Sequence, residues 1–105
     1  MVAEVYHPLG TADFAPYLSK IKDADAVWSF EPGSDGIQFV KQYDEYGLKK
    51  KIPLIGSSAS FQGYMLEAQK DSAVGATCAG PYTFASDTPE NQKFIKAYQK
   101  MVGPS

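Results

Sequence analysis

One cysteine and one histidine in 105 residues remove several chemistries at the outset. A lone Cys78 excludes an internal disulfide and any cysteine-based metal cage, and it leaves the redox compartment open. Its small, apolar setting, Ala76-Thr77-Cys78-Ala79, predicts a buried side chain rather than a reactive thiol. Basic excess is lacking too: ten Lys and Arg stand against twelve Asp and Glu, for a formal net charge of −2. That balance argues against a nucleic-acid partner, whose footprint is a basic face. The one local basic run, Lys49-Lys50-Lys51, follows Gly47 and reads as a solvated cluster near a helix C-terminus. No stretch approaches the ~20 apolar residues of a membrane span. The amino-terminal residues lack the basic-then-apolar pattern of a signal peptide.

What is present suits one ordinary globular unit over residues 1–105: 44% of residues are apolar and 13% aromatic, including seven Tyr and six Phe. A chain of this length buries roughly two-thirds of its unfolded surface, so one continuous core is feasible.

The sequence alternates strand and helix signals four times. Val2 to Tyr6 is a β-type run closed by His7-Pro8-Leu9-Gly10. A helix is expected from near Asp13, with Pro16 in its first turn and Phe14, Tyr17, Leu18 and Ile21 on one side. Ala26 to Phe30 reads as a buried second strand, after which Ser34 or Asp35 caps a helix that carries Ile37, Val40 and Tyr43 and stops at Gly47. Ile52 to Ile55 is the third strand. It empties into Gly56-Ser57-Ser58-Ala59-Ser60 and a short helix over Phe61 to Gln69. Val74 to Ala79 is the fourth strand, and a long loop, Gly80 to Asp87, follows it. The last helix has Asp87 or Thr88 as cap, Pro89 and Glu90 in its first turn, and Phe94, Ile95, Tyr98, Met101 and Val102 as an apolar stripe. Strands separated by helices imply parallel crossovers, and the expected fold is an α/β three-layer sandwich with a mainly parallel sheet covered on both faces.

Ligands of such sheets bind at the carboxyl ends of the strands. Catalysis has weak support there. Gly56-Ser57-Ser58-Ala59-Ser60 lacks the second glycine of G-x-S-x-G, and its base would have to be His7, which reads more simply as a solvated or hydrogen-bonded loop residue. Neither dinucleotide nor P-loop glycine spacing occurs, and Gly33-Ser34-Asp35-Gly36 is too short for a phosphate cradle. A receiver-type signalling domain would need acidic residues at strand ends occupied here by Phe30-Glu31 and Ile55-Gly56. Binding without chemistry fits better. Ser, Gly and Thr loops hydrogen-bond small polar groups, while Tyr6, Trp28, Phe61 and Tyr82 offer apolar walls, with core packing as the simpler role of Trp28. Glu31, at a strand mouth, is either solvated at the rim or turned toward a ligand's cationic or hydroxyl group.

The ordered series Val5-Tyr6-His7-Pro8-Leu9-Gly10-Thr11-Ala12-Asp13-Phe14, Asp25-Ala26-Val27-Trp28-Ser29-Phe30, Phe39-Val40-Lys41-Gln42-Tyr43 and Asp87-Thr88-Pro89-Glu90-Asn91 is specific. It resembles the second lobe of extracytoplasmic solute-binding proteins of the branched-chain amino-acid transporter family, which have the type I periplasmic binding fold with flavodoxin-like lobes. The resemblance covers the whole chain. It implies a two-lobed clamp that closes on a small molecule and hands it to an ATP-driven (ABC) permease, without cofactor, metal or covalent chemistry, in the periplasm or outside the cell.

Carried over by position, the ligand contacts of this lobe are Pro32, Gly33 and Ser34 after the second strand and Ser57 and Ser58 after the third, with Tyr6, Glu31 and Phe61 beside them. Amino-acid binders of the family place an acidic residue where Ser58 aligns, so the resemblance implies a neutral or acidic ligand such as an aromatic carboxylate, unless Glu31 takes the acidic role. The family's lobe normally begins one strand and helix earlier, and follows a first lobe. The expectation is therefore an excised or engineered fragment, started at an added Met1, whose missing strand is replaced by rearranged pairing or by a second copy in a homodimer.

Overall fold

The computed structural model describes residues 3–21, 23–61, 63–83 and 85–103. Three short strands, β1 (Val27–Ser29), β2 (Leu54–Ser57) and β3 (Thr77–Ala79), form one sheet in the order β1-β2-β3. Both pairings are parallel, with Val27 beside Leu54, Ser29 beside Gly56, and Gly56 beside Cys78. Four α-helices accompany them: α1 (Ala15–Leu18), α2 (Ser34–Glu45), α3 (Tyr64–Gln69) and α4 (Pro89–Val102). Short 3-10 turns at Leu48–Lys50, Ser58–Ser60 and Lys70–Ala73 complete the path. The α/β class and the parallel sheet are those the strand and helix alternation predicts.

The core lies on one face of the sheet. Alternation places Val27, Ser29, Leu54 and Gly56 together on that face. Phe14, Leu18, Phe39, Val40, Tyr43, Leu54 and Phe61 form the buried cluster between sheet, α1 and α2. Its aromatic rings meet edge to face, Phe14 on Phe39 at 5.5 Å, and Phe39 tilts against Tyr43 at 5.8 Å. The buried Tyr43 hydroxyl donates to the Ile52 carbonyl at 2.7 Å, and burial pushes its pKa up to about 12. Gly56 is required in β2, since a Cβ there would lie 2.6 Å from the Phe61 ring.

Several local expectations change in the folded chain. Residues 3–6 carry no strand, because no neighbouring strand in the described sheet pairs with them, and an extended run without a ladder is not a strand; Met1 and Val2 lie outside the described residues. The helix predicted from Asp13 is a single turn, with Pro16 in its first turn and the Asp13 carboxylate accepting from the Ala15 amide at 3.0 Å. Neither Ser34 nor Asp35 caps α2. Gly33 takes the cap position at φ 62, and Ser34 is the first helical residue. Gly47 ends the helix region in the left-handed conformation, as expected.

The largest corrections concern the opposite face of the sheet. Trp28 and Phe30, expected in the core, are 63% and 65% exposed, and Cys78 is exposed with the whole of β3. The reason is that α4 makes at most marginal contact with the other elements. Its sequence signals hold locally: Thr88 accepts from the Asn91 amide at 3.1 Å, Pro89 opens the helix and Gly103 closes it. Its stripe of Phe94, Tyr98, Met101 and Val102 nevertheless stays exposed. Of the two helical layers of the sandwich, one is packed on the sheet and the other stands away from it. The radius of gyration of 16.0 Å accordingly exceeds the about 13 Å of a compact chain of this length.

Candidate functional site

The carboxyl ends of β1 and β2 open into residues 31–35 and 57–61, and the first turn of α2 is pressed between them. A Cβ on Gly36 would lie 2.4 Å from the Glu31 carbonyl and 2.6 Å from the Met65 side chain, so only glycine permits this approach. Ser60, fully buried, locks the two loops: its hydroxyl donates to the Glu31 carbonyl at 2.8 Å and accepts from the Glu31 amide at 3.0 Å. Gln69 of α3 adds donations to the Ser60 carbonyl at 2.7 Å and to the Gly36 carbonyl at 3.1 Å. The loops are thus preorganised by backbone contacts before any ligand arrives.

The side chain of Glu31 is buried, and its partner is His7. The imidazole Nε2 lies 2.7 Å from a Glu31 carboxylate oxygen, while Nδ1 lies 2.9 Å from the Pro8 carbonyl and 3.3 Å from the Thr11 hydroxyl. His7 also sits edge-on to Phe14 at 4.7 Å and to Tyr17 at 5.6 Å. Asp35, 4% exposed in the first turn of α2, accepts from the Gly10 amide with both oxygens, at 3.1 and 3.2 Å. Gln42 clamps the same amino-terminal segment, accepting from the Phe14 amide at 2.7 Å and donating to the Ala12 carbonyl at 2.8 Å.

Burial by itself would lower the pKa of His7, but the Pro8 carbonyl and the Glu31 carboxylate, aided by the charge of Asp35, outweigh it and hold the imidazole above its ordinary value. Burial raises the Glu31 carboxyl, the His7 contact opposes this, and the neighbouring Asp35 charge adds to the rise. Folding thus favours the protonated form at both groups. His7, Glu31 and Asp35 bring an imidazole and two carboxylates within 4.8 Å of one another. These donors are engaged with each other and with the Gly10 amide. His7, the one base a serine nucleophile could have used, is committed to Glu31, Pro8 and Thr11.

The site residues picked out in the sequence fall into three groups. Glu31, Pro32, Gly33 and Ser34 form the exit from β1, with Pro32 and Ser34 exposed. Ser57 ends β2 with its hydroxyl buried and without a hydrogen-bond partner among the described residues, and Ser58 begins the following turn. Phe61 is buried in the core cluster while also lining a groove, and Tyr6 is exposed on the amino-terminal segment. Sequence reasoning missed His7 as the partner of Glu31 and missed Ser60, Gln69 and Gly80. Gly80 follows β3, where a Cβ would lie 2.2 Å from the Ser58 hydroxyl. The only signal for it was a glycine at a strand exit.

Beside Ser58 runs an open groove of about 1620 Å³, lined by Phe61, Tyr64, Glu67, Cys78, Gly80, Tyr82, Asn91 and Phe94 among others. This exceeds the roughly 300–1,000 Å³ of pockets that enclose a small ligand. Tyr82 donates to the Asn91 side-chain carbonyl at 2.7 Å and stacks edge-on with Phe94 at 6.0 Å, tying α4 to its own preceding loop.

Residues 1–105, the whole chain, match the family described as periplasmic binding protein. A Leu/Ile/Val-binding protein homolog 6 from Brucella melitensis is 35% identical over 107 aligned residues, covering 98% of this chain and 27% of that protein. An ABC transporter substrate-binding protein from Sphaerobacter thermophilus is 42% identical with a TM-score of 0.82, over 92% of this chain and 28% of its own. A solute-binding protein of an ABC transporter from Rhodopseudomonas palustris, solved in complex with 3,4-dihydroxybenzoic acid, is 37% identical with a TM-score of 0.65, over 87% of this chain and 26% of its own. The chain thus spans about a quarter of the length of the relatives it matches. Parallel sheet, strand-end loops and a sequence match along its full length together make this chain a member of the periplasmic binding protein family.

Proposed function

We propose that these 105 residues are one lobe of an ABC-transporter solute receptor in the periplasm or outside the cell, supplying half of a cleft for a small organic acid, without catalysis. The observation that carries the ligand class is the pairing of Glu31 with His7. An amino-acid ligand brings an ammonium group that needs a carboxylate in a dry site. Glu31 is already paired with His7 and Asp35 is taken up by the Gly10 amide, while Gly33, Ser34, Ser57 and Ser58 at the strand mouths are neutral hydrogen-bonding groups. Such groups suit hydroxyls and a carboxylate, and the relative solved with 3,4-dihydroxybenzoic acid offers a ligand of that chemistry. Pro32 supplies exposed apolar surface, Phe61 backs the loop from the core, and Tyr6 sits on the adjacent segment. Titration calorimetry of the full-length gene product with 3,4-dihydroxybenzoate and with leucine tests this, and tighter binding of leucine overturns the ligand class.

A second reading, a self-associating α/β module, draws support from the open sheet face at Trp28 and the exposed stripe of α4. Light scattering after size exclusion checks it: the reading requires a dimer, and a strict monomer at high concentration removes it.

A further inference from the structure

The two nitrogens of His7 both face acceptors, a carbonyl at one end and a carboxylate at the other. A neutral imidazole carries one N–H and cannot donate to both. Both bonds form only when the pair holds one extra proton, as imidazolium and carboxylate or as imidazole and carboxylic acid. Loss of this proton therefore costs one of the two bonds and leaves Glu31 ionised beside a neutral imidazole, which weakens the hold of the amino-terminal segment on the mouth of the site.

We propose that His7 is a positioning residue for the ligand-facing loop, residues 31–34, holding the segment 7–11 across it as a proton-operated latch. The latch has two bolts. Glu31 receives His7, and Asp35 receives the Gly10 amide three residues further on. Phe14, fully buried and in contact with the imidazole, anchors the end of the segment in the core. With Gly10 still on Asp35 and Phe14 in the core, releasing His7 loosens residues 6–9 and leaves the rest of the segment in place. The titratable groups that face His7 are Glu31 from the exit of β1, Asp35 from α2 and the Tyr17 phenol from α1. Both carboxylates favour the protonated imidazole. Loss of the proton leaves a buried Glu31 carboxylate with no cation, a costly arrangement relieved by admitting water or by letting the segment move. The latch rests on the proposed function only for the statement that residues 31–34 face a ligand.

His7 is the sole histidine of the chain, so one imidazole signal reports the latch without ambiguity. The test is a two-dimensional NMR titration of the 105-residue chain from acid to alkaline pH, following the His7 ring and the backbone amides. The imidazole midpoint is expected above 6.5, with the Gly10, Gly33 and Ser34 amides shifting at that same midpoint. In Glu31→Gln the imidazole midpoint should fall by about one pH unit, a tenfold change in proton affinity. His7→Gln, which leaves the carboxylates in place, should abolish the pH response of those amides and serves should Glu31→Gln fail to fold. A midpoint at or below 6.5, amides that do not follow it, or a midpoint unchanged in Glu31→Gln overturns the latch. Failure of an organic acid to bind in calorimetry, with the shared midpoint intact, removes the ligand reading and leaves the latch standing.

Discussion

At position 80 even a methyl group collides with Ser58, whose hydroxyl and Cβ would lie 2.2 and 2.4 Å from it. Because the obstacle includes the Cβ, rotating the hydroxyl does not relieve the clash. Gly80→Ala is expected to displace Ser58 and destabilise the chain by about 1–3 kcal/mol, measured by urea denaturation. Protons at His7 and Glu31 act at the same scale. The native pKa of Glu31 lies above its ordinary value of 4.5 and that of His7 above 6.5, so folding tightens proton binding at both. The Glu31 contribution is complete below 4.5 and the His7 contribution below 6.5; each is lost as pH rises through the native value. The stability advantage of the wild type over a His7→Gln, Glu31→Gln double variant is therefore expected to shrink from pH 5 to pH 8, read from urea midpoints. An advantage that grows with pH contradicts the assignment. The pairing was invisible in the sequence because its partners are 24 positions apart, and neither strand nor helix periodicity links a turn histidine to a strand-end glutamate. For the same reason Asp35, a sound cap by composition, is drawn instead to the Gly10 amide 25 positions away.

Elements formed from local signals are where the sequence reads most faithfully. Thr88, Pro89 and Gly103 bound α4 as capping chemistry requires, and Gly47 closes the α2 region. Burial depends on a second layer, which no local signal reports. An apolar strand such as residues 26–30 looks like a core strand, yet Trp28 points to the open face, and the α4 stripe stays largely exposed, with Phe94 on Tyr82 and Ile95 half-buried. The two kinds of helix should respond differently to mutation. Phe39→Ala on α2, inside the buried cluster, is expected to cost about 3–5 kcal/mol. Met101→Ser on α4, where the methionine is 85% exposed, should stay within about 0.5 kcal/mol by the same thermal or urea measurement. A large loss at Met101 would mean that α4 docks in solution. The strand expected over residues 2–6 illustrates the same dependence: its β-type residues are there, but the described sheet offers no pairing to them.

For the whole molecule, the α/β class and the convergence of loops at the strand ends were legible, because alternation of strand and helix dictates a parallel sheet and a parallel sheet dictates where loops converge. The match along all 105 residues places that architecture in the periplasmic binding protein family. The elongated form, 48 by 25 by 23 Å, was not legible, since it follows from an undocked helix. In the proposed receptor, a Glu31 paired with His7 and an Asp35 held by the Gly10 amide leave neither carboxylate free for an ammonium group, so an organic acid is selected over an amino acid. Titration calorimetry of the full-length gene product tests it most directly. Binding of 3,4-dihydroxybenzoate at least about a hundredfold tighter than leucine, a difference of about 2.7 kcal/mol, is the expected result. Equal or tighter binding of leucine, with Ser58 and the His7–Glu31 pair unaltered, would contradict it.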